Sequence, residues 1–87
     1  MNRGDNFTFV IKEQLGVLAT FQTGWKKEVN IVEWNGNTGK VDIRDWNPNH
    51  EVMSKGITLH EIEARKLAEA LNEYFAKIDN KKEDKEE

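Results

Sequence analysis

Five side chains on two neighbouring segments have the types and spacing for chemistry. Lys26 and Trp34 lie on one segment; Lys40, Arg44 and Trp46 lie on the next. All five occupy even positions, and residues two apart on a strand share a face. The same face takes Asn30 and Val32, and the even positions Thr8 and Lys12 of an earlier segment extend it. Rings that alternate with polar residues are expected to be half exposed. Exposed rings interleaved with cations suit a platform for single-stranded nucleic acid: bases stack on the rings, cations follow the phosphates, and each stacked base contributes roughly 1–3 kcal/mol. Tryptophan is usually mostly buried. The competing arrangement therefore packs Trp34 and Trp46 on each other or beneath the loop at 47–56.

Other chemistries do not assemble. The chain has no cysteine, which excludes a disulfide scaffold, a thiolate nucleophile and Cys-based metal sites. Its two histidines, His50 and His60, have no third ligand at metal-binding spacing and read as surface residues. Asp42 and Asp45 point to opposite faces of a strand, so they form no carboxylate pair; Asp42 is placed to orient Arg44 or Lys40. Ser54 has no activating partner. The glycines form neither a dinucleotide fingerprint nor a phosphate loop. Neither a catalytic residue nor a metal, cofactor or small-molecule substrate is expected.

The elements that must position the five side chains follow from periodicity. Eighty-seven residues make one small domain. Residues 7–21 alternate, with Phe7, Phe9, Ile11, Leu15, Val17, Ala19 and Phe21 on the odd face, as in one long strand able to bend at Gly16. A break into two strands near Gln14 is the alternative. Thr23-Gly24 turns the chain. Lys26–Trp34 and Lys40–Trp46 are strand patterns flanking Asn35-Gly36-Asn37-Thr38-Gly39, the strongest turn signal present. Val52–Ile57 reads as a short fourth strand. Thr58 and Glu61 form a capping box for a helix running to about residue 78. The predicted fold is α+β: a curved antiparallel sheet of three to four strands, then one C-terminal helix. Its apolar face holds Val29, Ile31, Val41 and Ile43 with the odd residues of the first strand. One helix covers only part of such a sheet, so a symmetric homodimer is expected, with Leu67, Leu71, Tyr74, Phe75 and Ile78 at the interface.

The formal charge of −3 belongs to the helix and tail, since residues 1–58 carry as many basic as acidic side chains. A neutral sheet can still present a basic face. Residues 1–78 are predicted to form the domain, and 79–87, which lack an apolar residue, a disordered charged tail. The polar Met1–Asp5 has no signal-like stretch, and no apolar run approaches a membrane span. A cytoplasmic location is expected, with association with a bacterial nucleoid as an option and no membrane partner.

The string Trp34-Asn35-Gly36, Lys40-Val41-Asp42-Ile43-Arg44-Asp45-Trp46, Asn47-Pro48, Met53 and Lys55-Gly56-Ile57-Thr58-Leu59 resembles the PC4-like transcriptional coactivator domain, most closely its bacterial YdbC-like branch. The upstream Gly24-Trp25-Lys26-Lys27-Glu28-Val29-Asn30 is similar to that branch too. The resemblance implies a curved sheet followed by a helix, dimerisation largely through the helices, and grooves that bind single-stranded DNA with little sequence preference. It places Trp34, Lys40, Arg44 and Trp46 in the groove and adds Lys55; Lys12, Trp25 and Lys27 are secondary candidates. Departures are Val32 where a cation would be welcome, Ser54 where the branch often has Gly, and Asn37-Thr38-Gly39 in place of a Pro-containing turn. The expected function is non-enzymatic single-stranded DNA binding by a homodimer in transcription, replication or repair. Single-stranded RNA binding and protein interaction within the transcription machinery are the alternatives.

Overall fold

The computed structural model describes residues 7–86, with side chains described as far as Lys81. Four strands form one antiparallel sheet in the order β1-β2-β3-β4. They are β1 (Phe9–Thr20), β2 (Lys26–Trp34), β3 (Lys40–Trp46) and β4 (Ile57–Leu59), followed by helix α1 (Glu61–Glu86). Every connection joins neighbours, so the sheet is a simple meander, as the alternation and turn residues predict.

β1 is a single strand, and its partner does not match its length. Twelve residues of β1 run beside nine of β2. Three register shifts absorb the difference, between Ile11 and Glu13, Gln14 and Gly16, and Val17 and Ala19. Each inserts one extra residue, namely Lys12, Leu15 and Leu18, and each bends the strand. The bulges also overturn the expected odd face. Phe9 and Ile11 pair with Trp34 and Val32, Glu13 pairs with Ile31, and Val17 pairs with Glu28. Odd residues of β1 are thus divided between both faces of the sheet. An unbroken period of two in sequence does not survive three bulges in space.

The β2–β3 ladder is regular: Val29 lies opposite Ile43, Ile31 opposite Val41, Asn30 opposite Asp42. This gives the apolar face predicted for Val29, Ile31, Val41 and Ile43, which β4 extends through Ile57 and Leu59. All four of those β2 and β3 side chains are only half-buried. The helix packs against β3 and β4 alone. The radius of gyration is 16.9 Å, against about 12 Å for a compact domain of this length. The helix stands away from much of the sheet, with Ile62, Leu67, Leu71, Tyr74 and Phe75 all at least 40% exposed.

Three boundaries differ from expectation. The fourth strand begins at Ile57, and upstream of it only Met53 bridges to Trp46. Thr58 belongs to this strand, so it does not cap the helix. The cap lies two residues later: Glu63 accepts the backbone N–H of His60 at 2.8 Å, and Ala64 N–H donates to the His60 carbonyl. The helix also continues past the expected end near residue 78 to Glu86. Residues 79–86 contain no Pro or Gly and are rich in Lys and Glu, which sustain helices.

Glu63→Ala is expected to lower stability by roughly 0.5–1 kcal/mol through the lost cap. A thermal melt that leaves the midpoint unchanged would refute this assignment of the helix start.

Candidate nucleic-acid interface

The face opposite the apolar one is the better buried. Trp46, Val32, Asn30 and Asp42 are fully buried, and Glu28 is nearly so. Strand register explains which residues meet there, and the two tryptophans explain the burial. Trp34 ends β2, while Trp46 lies opposite Lys26 at the other end. Those ends are separated by about 26 Å of extended strand. The two rings nevertheless stack nearly parallel, 9° apart in plane, with centroids separated by 6.5 Å. Both side chains must therefore lie down along the sheet toward each other, and the sheet must curl toward this face. Phe9 contacts both rings, at 5.8 and 5.2 Å, and His50 reaches Trp46 at 5.7 Å.

Beneath the rings is a polar network centred on Asp42. Its carboxylate accepts Arg44 Nε at 2.6 Å and Arg44 Nη2 at 2.8 Å. It also accepts Thr58 Oγ1 at 2.8 Å and Trp34 Nε1 at 3.3 Å. Arg44 Nη1 donates to the Ser54 carbonyl at 3.2 Å. These contacts hold the guanidinium 4.7 Å from the centre of the Trp34 ring, a cation–π arrangement. A buried carboxylate is costly unless paired and hydrogen-bonded; Asp42 is both. Gly56 lets the chain close over the pair, because a Cβ there would run into Arg44 Cβ and the Ile43 carbonyl oxygen. A second network ties the 47–52 loop down. His50, in the left-handed region at φ 61°, places Nε2 3.0 Å from Glu28, and Asn30 Nδ2 donates to Glu28 at 3.0 Å. His50 is thus half-buried and partnered, where the sequence suggested a surface residue.

The open part of this face is a shallow groove of about 270 Å³ lined by Phe7, Trp34, Arg44, Met53 and Thr58. Of the predicted residues, register puts Lys26, Trp34, Lys40, Arg44 and Trp46 on this face. Trp34 is half-buried and borders the groove. Trp46 is fully buried, so the expectation that it is half exposed is corrected: Phe9, Trp34 and His50 cover it. The arrangement in which the two tryptophans pack on each other is the one found. Lys40 starts β3 and also borders the cleft between sheet and helix, beside Ile31 and Val41. Lys55 is exposed in the segment before β4. Lys12 and Lys27 turn to the other face, where they meet Glu33 at 4.0 Å and Asp45 at 2.9 Å. Trp25 is half-buried in the turn before β2, and its carbonyl accepts Phe21 N–H. Sequence reasoning missed Phe7, Met53 and Thr58 as groove residues. Phe7 was legible as an apolar odd position, but only three-dimensional register brings it to Trp34.

Among the described residues, no group of three or more His, Asp or Glu side chains is placed to hold a metal ion. No described helix is long and apolar enough to cross a membrane.

The site is thus an aromatic-cationic groove on a curled four-stranded meander with one trailing helix, and comparison with known proteins gives the family. The profile of the family described as Transcriptional Coactivator p15 (PC4) matches residues 21–70. An uncharacterized protein of Treponema pallidum (strain Nichols) is 38% identical over 68 residues, 78% of this chain and 80% of that protein. The chain belongs to the PC4 family, a non-enzymatic family of nucleic-acid-binding and coactivator-like domains.

Asp42→Ala removes the partner of an arginine side chain only 13% exposed. It is expected to cost about 3–5 kcal/mol. Denaturant unfolding within 1 kcal/mol of the wild type would show that the network is not what holds the groove.

Proposed function

We propose that the chain forms a homodimer that binds single-stranded DNA with little sequence preference, as a cytoplasmic protein acting in transcription, replication or repair. The observation that carries this reading is the groove itself: a half-buried tryptophan ring, an arginine 4.7 Å from its centre, and an open rim with Phe7 and Met53. Bases stack against Trp34. Lys26, Lys40 and Lys55 contact phosphates. Trp46 supports Trp34 from below and touches no base. Arg44, neutralised by Asp42, positions the Trp34 ring and adds little phosphate attraction. Family membership supports nucleic acid as the ligand.

Dimerisation is supported by what one chain leaves uncovered. Val29, Ile31, Val41 and Ile43 are half-buried, and a cleft of about 430 Å³ separates the sheet from Ala64 and Ala68 of the helix. A second helix carrying Leu67, Leu71, Tyr74, Phe75 and Ile78 would cover this surface. Light scattering should give twice the 10.1 kDa chain mass; a monomer at micromolar concentration would refute the dimer.

Titration of labelled oligo-dT should show saturable binding with tryptophan quenching, and much weaker binding to a matched duplex. Three phosphate-contacting lysines per groove predict a slope of log K against log salt of about −2, at about −0.7 per contact. Lys55→Ala should flatten that slope by about 0.7, whereas Arg44→Lys should weaken binding without changing it. Equal affinity for duplex would overturn the reading, and preference for oligo-U would reassign the ligand to RNA.

A further inference from the structure

The burial of Trp46 leaves the groove with one tryptophan where the sequence pattern supplied two. A different ring lies beside the remaining one. Phe7 is 45% exposed, stands 5.8 Å from Trp34 with a tilt of 34°, and lines the groove with Arg44, Met53 and Thr58. One side of the ring rests on aromatic neighbours, Trp34 and, at 6.2 Å, Phe9. The rest faces the open groove.

Phe7 precedes β1, and a loose ring outside a strand would lose much of its stacking energy to ordering. Here the backbone is pinned. Thr8 N–H donates to Asn35 Oδ1 at 2.9 Å, and Asn35 N–H donates to the Thr8 carbonyl at 2.8 Å. Asn35 sits at φ 54°, a left-handed conformation that asparagine tolerates better than most residues. The turn between β2 and β3 therefore does two jobs: it reverses the chain and clamps the segment carrying Phe7.

We propose that Phe7 is the second base-stacking ring of the groove, set in place by the Thr8–Asn35 pair. This rests on the reading of the groove as a single-strand site. An aromatic ring that contributes one base stack is worth about 5- to 150-fold in affinity, the equivalent of roughly 1–3 kcal/mol. It contributes no charge, so its removal leaves the salt dependence intact.

The test is binding of labelled oligo-dT, by anisotropy at two salt concentrations, to the wild type, Phe7→Ala, Phe7→Leu, Phe7→Trp and Asn35→Gly. Phe7→Ala and Phe7→Leu should weaken binding about 5- to 150-fold at an unchanged salt slope. Phe7→Trp should restore affinity and add fluorescence that the oligonucleotide quenches. Asn35→Gly keeps the left-handed turn but removes the side-chain acceptor of Thr8, and should give a smaller loss. Phe7→Leu retains apolar bulk, which keeps the comparison informative if the alanine variant is unstable. Wild-type affinity in the folded leucine variant would overturn the proposal. So would tighter binding, which would make Phe7 a plug on Trp34. A wild type that binds no oligonucleotide would overturn the single-strand reading itself; a binding wild type with indifferent Phe7 variants would overturn this proposal alone.

Discussion

The carboxylate of Asp42 organises the groove. It is fully buried, and Arg44, Thr58 and Trp34 all donate to it, which offsets the cost of burying it. Each of those donors comes from a different part of the chain: β3 itself, β4 and the end of β2. One ion therefore ties three strands together on one face. It also sets a geometry. The guanidinium fork meets both carboxylate oxygens, and the Trp34 indole N–H reaches the same group. Groove geometry is thus a by-product of satisfying one charge.

The sheet is unusual in which face it hides. Its polar-and-aromatic face is buried within a single chain, while the aliphatic face remains half open beneath a helix that touches only β3 and β4. Two tryptophans lying inward from opposite ends of the β2–β3 hairpin produce this inversion, since their combined length roofs the middle of the strands. The polar residues below are consequently deprived of water and are tied into two networks, one at Asp42 and one at Glu28. The aliphatic residues on the other side meet a cleft. The two faces thus make different demands: one is settled by hydrogen bonds inside the chain, the other by apolar contact that one chain supplies only in part.

The order of strands and the presence of one long helix were legible in the sequence, because alternation, the Asn35-Gly36 turn and the helical spacing of Ile62, Leu67 and Leu71 are local signals. The shared face of Trp34, Arg44 and Trp46 was legible for the same reason: β2 and β3 pair without a bulge. What was not legible depended on events between strands. Three bulges scrambled the parity of β1, sending Phe9 to the tryptophans and Glu13 to the opposite side. The cap moved from Thr58 to His60 because Thr58 was claimed by Asp42, a partner sixteen positions away. Strand parity gave Trp46 the right face but could not reveal that Phe9 and His50 would close over it.

The bulges of β1 also bear on how the chain avoids its own kind. β1 is an edge strand, twelve residues long, with Val10, Leu15, Val17 and Leu18 about half exposed. A straight apolar edge of that length would template cross-β stacking between chains. An irregularity roughly every third residue denies any incoming strand a continuous run of matching N–H and C=O groups. The curvature that shapes the groove thereby also acts as a guard against aggregation.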